Sequence, residues 1–253
     1  MTDELAPHCE LLRSLHVPGD PLVLPNAWDA ASARAVVAAG FPVVATTSAG
    51  VAAVLGYEDH EGAPGDEMLA AAARMGRAVD VPLTVDAEAG YGMEPAELVA
   101  ALKGAGAAGC NLEETDHATG KLRDPAPHAD WLRSVREAAA AQNYSLVINA
   151  RIDVFLSGEE QGELLPDALE RAQAYLEAGA DCLYPIALWE TQTVATFVRE
   201  ARGPVNILAS PRAPSPAELA ELGVARLSYG HLLHKQVMEQ FESTLASISA
   251  DGR

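Results

Sequence analysis

The sequence predicts an α/β fold, a (β/α)8 barrel of the TIM type in which residues 1–253 form one domain. Short apolar segments rich in β-branched residues alternate along the chain with longer Ala/Leu/Glu-rich segments of helical periodicity. This alternation is typical of parallel βαβ construction. The strand segments number about eight, as a closed barrel requires. A length of 253 residues also suits a one-domain barrel.

The predicted elements follow one another without a linker or a low-complexity tract. The strands are Pro21–Pro25, Val43–Thr47, Leu83–Asp86, Cys110–Glu113, Leu146–Ala150, Cys182–Ile186, Val205–Ala209 and Arg226–Ser228. The helices are Ala30–Ala39, Asp66–Val79, Pro95–Ala105, His128–Ala141, Pro166–Ala178, Glu190–Glu200, Pro216–Leu222 and His231–Ile248. An open doubly wound sheet would alternate in the same way. It usually has fewer strands, and no Gly-x-Gly-x-x-Gly turn follows the first strand here.

The chain is strongly acidic, with a formal net charge of −19. The acidic residues are spread along the whole chain, so its surface should repel nucleic-acid phosphates and anionic lipid headgroups. The sequence therefore predicts no nucleic-acid partner and no membrane partner. An anionic substrate would also be repelled, so its site needs a local positive charge, for which a bound divalent cation is suited.

The three cysteines, Cys9, Cys110 and Cys182, are an odd number and lie far apart in the sequence. This spacing indicates neither a disulfide framework nor a zinc motif, and reduced thiols are expected. The first residues lack the basic and apolar regions of an export signal, and no run of about 18 apolar residues occurs. We therefore expect a cytoplasmic protein.

Acidic residues recur where the early predicted strands end. They are Asp59, Asp86, Glu88, Glu113 and Glu114. Neighbouring strands lie about 4.8 Å apart, so side chains leaving the same rim can converge. Converging carboxylates repel one another unless a cation neutralises them, and oxygen ligands favour Mg²⁺, or Mn²⁺, over Zn²⁺.

Asp86 and Glu88 are the centre of this prediction. On a continuous strand, residues two apart face the same way, and Gly90-Tyr91-Gly92 would let the backbone pass close to a ligand. The alternative is that the acids cap the next helix or are solvated at a strand end. Two longer connections, Gly56–Gly65 and Thr115–Pro127, follow strand ends on the same side and are candidates for a lid.

The run Val-Asp-Ala-Glu-Ala-Gly-Tyr-Gly resembles the Asp-x-Asp-x-Gly-Tyr-Gly metal motif of the isocitrate lyase/phosphoenolpyruvate mutase superfamily. Other segments resemble the same superfamily and stand in the same order along nearly the whole chain. They are Pro25–Ala33, Thr47–Ala52, Leu55–Asp59, Gly109–Glu114 and Asn149–Asp153. The resemblance implies that Asp86 binds Mg²⁺ and that Asp59, Glu88 and Glu113 complete the metal shell, largely through water.

The resemblance also implies a substrate site. Thr47, Ser48 and Ala49 stand where the family grips the carboxylate and carbonyl of a small 2-oxo acid. Arg151 stands where the family places an arginine against the substrate anion, although a structural ion pair is the alternative. Trp28 is expected to line the pocket. The family further implies a homo-oligomer, in which the last helix is swapped within dimers that pair into tetramers.

The chain departs from the family pattern in three places. Glu88 replaces the second Asp of the metal motif, and Thr47-Ser48 replaces Ser-Gly. The loop after strand four lacks the Lys-Lys/Arg-Cys-Gly-His segment of isocitrate and methylisocitrate lyases and the Lys-x-x-Asn-Ser gate of the phosphonomutases. It carries Asp116–Asp124 instead, within which His117, Lys121 and Arg123 are candidates for an acid or an anion clamp.

These features predict a Mg²⁺-dependent enzyme that cleaves or forms a C–C or P–C bond next to the enolate carbon of a pyruvate- or oxaloacetate-like acid. The missing cysteine favours an oxaloacetate decarboxylase or a phosphonopyruvate hydrolase or mutase over a cysteine-dependent lyase. A catalytically silent barrel that binds a 2-oxo acid, or an assembly subunit, is the alternative from another class. A Schiff-base aldolase is disfavoured, because Lys103, Lys121 and Lys235 do not fall at inner strand positions.

Overall fold

The predicted strands form a closed barrel of parallel strands in the computed structural model, which describes residues 5–251. The barrel strands are β1 (Leu22–Leu24) with β2 (Asn26–Ala27), β3 (Val44–Thr46), β4 (Leu83–Asp86), β5 (Ala107–Leu112), β8 (Val147–Ile152), β9 (Cys182–Pro185), β10 (Asn206–Leu208) and β11 (Arg226–Ser228). A separate antiparallel hairpin, β6 (Thr115–Asp116) and β7 (Lys121–Leu122), lies in the connection after β5. The barrel prediction is confirmed.

The ring of strands closes through two short junctions. Strands β2, β3, β4, β5, β8 and β9 pair in that order, and β10 pairs with β11, which pairs with β1. A bridge between Leu183 and Val205 joins β9 to β10. Pro25 separates β1 from β2, which together form the first barrel strand, because a proline has no N–H for the ladder.

The helices surround the barrel. They are α1 (Ala6–Ser14), α2 (Ala30–Ala38), α3 (Ser48–Leu55), α4 (Gly65–Gly76), α5 (Pro95–Gly104), α6 (Pro125–Ala141), α7 (Gln161–Glu177), α8 (Thr191–Glu200), α9 (Pro216–Glu221) and α10 (Leu232–Asp251). Their inner faces pack on the strands through fully buried apolar side chains such as Met75, Leu98 and Leu132. Within residues 5–251, no helix is long and apolar enough to cross a membrane.

Two predicted helix starts are wrong: α6 begins at Pro125 and not at His128, and α7 differs by five residues. The sequence placed the start of α7 at Pro166, whereas the helix begins at Gln161 and Pro166 lies inside it. The Gln161 side chain anchors the true start, since its Nε2 donates to the carbonyl of Ala187 at 2.7 Å and its Oε1 accepts from the N–H of Trp189 at 3.0 Å. Pro166 cannot bond the carbonyl four residues earlier, but that residue, Gly162, is exposed to water.

Candidate active site

Asp86 lies at the carboxyl end of β4, where its carboxylate accepts two hydrogen bonds. The Ser48 backbone N–H donates to Oδ2 at 3.1 Å, and the Asn111 side-chain amide donates to Oδ1 at 3.4 Å. Ser48 is the first residue of α3, so the amino end of that helix points at the carboxylate. The free N–H groups of a helix start favour negative charge there. The Asp86 backbone N–H donates to the Thr46 hydroxyl oxygen at 2.8 Å, which holds the backbone of Asp86 in place.

Glu88 lies beyond β4, which ends at Asp86 as predicted, so the two acids do not share one continuous strand. Its φ of 47° places the backbone in the left-handed region, where the chain turns away from the sheet. The side chain is nevertheless buried, and its Oε1 accepts the Glu61 N–H at 2.6 Å. Burial, helped by the nearby charges of Asp86, Asp59 and Glu113, raises the pKa of Glu88 to about 7, although the bond from the Glu61 N–H opposes the rise. The carboxylates of Asp86 and Glu88 are therefore close enough to interact electrostatically.

Glu113 follows the end of β5 and is 2% exposed. It pairs with the Arg151 guanidinium through Oε2 and lies 2.5 Å from His117 Nε2 through Oε1. Burial raises the pKa of Glu113, and both cationic partners oppose that rise. Arg151 also donates to Asp153, with Nε 2.6 Å from Oδ1, so this arginine bridges two buried carboxylates. Contact with Glu113 raises the pKa of His117.

Asp59 lies in the loop between α3 and α4 and is half-buried. Its Oδ1 is buried and has no hydrogen-bond partner among the described residues. Within residues 5–251, no three His, Cys, Asp or Glu side chains converge closely enough to ligate one ion directly. An acidic oxygen donor set with an orphaned buried oxygen fits a hard cation held largely through water.

The residues predicted to bind substrate lie beside Asp86, around the start of α3. Thr47 is buried and makes no capping hydrogen bond, Ser48 is buried, and Ala49 is half-buried. Trp28 is half-buried and packs edge-on against His234 at 5.0 Å between ring centroids. A Cβ at Gly50 would lie 2.7 Å from the Thr47 methyl carbon and 3.0 Å from Trp28 Cβ. Glycine is thus required for this packing.

The three candidates for an acid or an anion clamp lie on the β6–β7 hairpin or just after it, and they differ in their surroundings. His117 contacts Glu113, and its ring packs at a tilt of 38° against His60 with 5.2 Å between ring centroids. Lys121 is exposed on β7. The Arg123 guanidinium lies over the Trp131 ring, 5.9 Å from its centroid, so packing holds it away from the acidic centre. The structure thus brings only His117 of the three into contact with the carboxylates.

Sequence reasoning missed several residues that complete the site. Asn111 contacts Asp86, Glu61 contacts both Glu88 and the Tyr91 N–H, and Tyr184 is buried on β9 opposite Arg151. Of these residues, only Asn111 could have been recognised from the sequence, because it is a polar residue on an apolar strand two residues before Glu113. Glu114 proved structural, since it pairs with Arg171 at 2.8 Å and accepts from the Tyr175 hydroxyl and the Asp153 N–H.

A closed barrel with an acidic centre at the carboxyl ends of its strands defines a (β/α)8-barrel enzyme. Residues 12–249 match the phosphoenolpyruvate phosphomutase family model. The chain is 32% identical to phosphoenolpyruvate phosphomutase of Streptomyces hygroscopicus over 83% of this chain and 70% of that protein. It is also 32% identical to 2-methylisocitrate lyase of Salmonella typhimurium, over 76% and 70%.

A solved structure from Burkholderia cenocepacia, provisionally assigned as a phosphonomutase, matches with a TM-score of 0.89 and 39% identity. The match covers 94% of this chain and 99% of that one. The chain therefore belongs to the phosphoenolpyruvate phosphomutase family, in agreement with the resemblance seen in the sequence. Its homologues include 2-methylisocitrate lyases and a phosphoenolpyruvate phosphomutase.

Proposed function

We propose that this protein is a Mg²⁺-dependent enzyme that cleaves or forms a C–C or P–C bond next to the enolate carbon of a small 2-oxo acid. The observation that carries the proposal is the coupled carboxylate centre of Asp86, Glu88 and Glu113 beside the amino end of α3. The pKa values of Glu88 and Glu113 are raised, and carboxyl groups with raised pKa values in a barrel mouth are typical of a functional site.

Asp86, Asp59, Glu88 and Glu113 would hold the cation, with Mn²⁺ as a possible substitute for Mg²⁺. Two observations support this assignment. Asp59 has an orphaned buried oxygen, and the charges of Asp86, Asp59 and Glu113 add to the effect of burial in raising the pKa of Glu88. When bound, the cation supplies positive charge that stabilises negative charge on the carboxylate and 2-oxo oxygens of a substrate.

The start of α3 would bind the substrate carboxylate through the Thr47 and Ser48 hydroxyls and the Ala49 N–H, with Trp28 at its side, because the Ser48 N–H already donates to Asp86. Arg151 would attract the anion as well. Its guanidinium already pairs with Glu113 and Asp153, so it holds those carboxylates in place whether or not substrate is bound.

A group on the β6–β7 hairpin, or on the residues just after it, would protonate the enolate carbon or bind the leaving anion. Its candidates are His117, Lys121 and Arg123, of which His117 is the one in contact with the acidic centre. All three cysteines are buried, and burial raises the pKa of both Cys110 and Cys182 to about 12. These positions favour oxaloacetate decarboxylation or phosphonopyruvate chemistry over a cysteine-dependent lyase.

The test is an assay with Mg²⁺ against oxaloacetate, phosphonopyruvate and 2-methylisocitrate, together with calorimetric binding of oxalate. We expect turnover of one of the first two and oxalate binding that needs Mg²⁺. Asp86→Asn should reduce kcat/KM at least about 100-fold, because a metal ligand and its charge are lost. The matched control is Asp130→Asn, on the exposed face of α6, which should retain full activity.

Inactivity on all three substrates with no oxalate binding would contradict the proposal. Oxalate binding that persists in Asp86→Asn without Mg²⁺, and without turnover in the wild type, would instead support a catalytically silent barrel that binds 2-oxo acids.

A further inference from the structure

Arg226 lies inside the barrel on β11 and is 1% exposed, although it carries a charge. Its Nη2 donates to the Asn111 side-chain oxygen at 3.2 Å. Within residues 5–251, its Nε and Nη1 have no hydrogen-bond partner. A buried guanidinium with unmet donors destabilises a fold. The one hydrogen bond that its side chain makes is therefore informative.

The partner of that bond, Asn111, has a fixed amide orientation. Its Oδ1 accepts from two donors, Arg226 Nη2 at 3.2 Å and Asn149 Nδ2 at 2.8 Å. Two donors fill both lone pairs of an amide oxygen, and the reversed amide would place N–H groups against both donors. The Asn111 N–H₂ group must then face the other way, where it lies 3.4 Å from Asp86 Oδ1.

The strand register explains why these residues meet. Asp86 pairs with Asn111 across β4 and β5, and Asn111 pairs with Asn149 across β5 and β8. Adjacent residues in register on parallel strands point to the same side of the sheet. A continuous polar row therefore runs from β8 to Asp86, and Arg226 reaches its middle member across the barrel.

We propose that Arg226 and Asn149 are positioning residues, which orient Asn111 so that its amide restrains the Asp86 carboxylate for metal binding. This inference rests on the proposed function, in which Asp86 holds a divalent cation. The Asn111 bond to Oδ1 and the Ser48 bond to Oδ2 together limit rotation of the carboxylate. Residues that orient a metal ligand strengthen metal binding by about 10–100-fold.

Electrostatics and positioning make opposite predictions for the loss of Arg226. A buried positive charge near Asp86 repels a cation, so its removal alone should tighten metal binding. If Arg226 acts by orienting Asn111, its removal should weaken metal binding instead. The sign of the change separates the two roles.

The experiment measures Mn²⁺ binding by electron paramagnetic resonance of the free ion, on full-length variants whose folding is verified by circular dichroism. Arg226→Met should weaken binding about tenfold, and Arg226→Lys should recover most of that loss. The matched control is Asn206→Leu. Asn206 pairs with Arg226 in register and is equally buried, but its side-chain amide has no partner among the described residues. This control should bind Mn²⁺ like the wild type.

A double variant tests whether Arg226 acts through Asn111. Asn111→Leu should weaken Mn²⁺ binding, and Arg226→Met added to it should cause no further loss. Unchanged or tighter binding in Arg226→Met, or additive losses in the double variant, would overturn the inference. If Arg226→Met does not fold, Asn149→Val decides in its place and should also weaken binding. Absence of Mn²⁺ binding in the wild type would instead refute the proposed function, and the inference with it.

Discussion

Glu88 shows how one strained residue shapes the site. A left-handed backbone costs a residue with a side chain roughly 1–2 kcal/mol, so surrounding contacts must hold it. Its carbonyl accepts the Glu113 N–H at 2.9 Å and its carboxylate accepts the Glu61 N–H at 2.6 Å. The turn thus connects the ends of two strands and one loop.

His128 on α6 provides a prediction about acid stability. It is 1% exposed, neither ring nitrogen has a partner in the described chain, and its ring stacks on Trp131 at 5.5 Å. Burial lowers its pKa to about 3, from about 6.5 in the unfolded chain. Between these two pH values, the unfolded state therefore binds a proton at His128 and the folded state does not. Stability should fall as the pH drops below about 6.5 and level off near 3.

His128→Phe keeps the ring and removes this titration. We expect the variant to lose less unfolding free energy than the wild type between pH 7 and pH 4, as measured by urea denaturation at several pH values. The control is His231→Phe, the same change at an exposed histidine, which should keep the pH dependence of the wild type. An equal pH dependence in His128→Phe and the wild type would contradict the assignment.

At the level of elements, the barrel could be predicted from alternation, but two helices were missed. Helix α3, Ser48–Leu55, has no polar face that would show a helical period, so the sequence does not predict a helix there. Helix α1, Ala6–Ser14, precedes the first strand, where the βαβ alternation gives no expectation. Both omissions follow from reliance on periodicity.

The part of the candidate site that consists of acidic residues at strand ends could be predicted from the sequence. The part that depends on contacts between distant segments could not. Asp86 and Glu113 directly follow buried strand residues, so the rim that they share could be inferred. The contact of Glu61 with Glu88 depends on how a loop folds back, and the bond of Arg226 to Asn111 spans the barrel between residues 115 positions apart. No local pattern in the sequence encodes such contacts.

Helix α10 leads to a prediction about assembly. From Lys235 to Ala250 every residue is exposed, and the exposed apolar residues Val237, Phe241, Leu245 and Ile248 share one face. A solvent-exposed apolar stripe indicates a protein interface. We propose that this helix is exchanged between two copies, as the family resemblance implies, in a dimer or a tetramer.

Phe241→Glu should therefore dissociate the oligomer, because a charge buried in an apolar interface is not compensated. Light scattering coupled to size-exclusion chromatography would show a lower mass. Ser243→Glu adds the same charge on the opposite face of α10 and should leave the mass unchanged. A monomeric wild type, or an oligomer unaffected by Phe241→Glu, would show that this face is not the interface.

At the scale of the whole molecule, a net charge of −19 surrounds a site that, in the proposed function, binds an anion. The same field attracts the divalent cation, so the two ligands should respond to salt in opposite ways. Screening lengths fall from about 30 Å at 0.01 M to about 8 Å at 0.15 M ionic strength. Charges distributed over the whole surface thus act on the site at low salt and are largely screened near physiological salt.

We therefore expect Mn²⁺ affinity to fall a few-fold between 0.01 and 0.15 M ionic strength, because screening removes the attraction of the acidic surface. Oxalate affinity, measured by calorimetry at saturating Mn²⁺, should rise over the same range, because screening removes the repulsion of the anion. Tetramethylammonium salts would vary the ionic strength without supplying a competing metal. If oxalate binding weakened with salt, the local charge of the cation and Arg151 would outweigh the field of the whole chain.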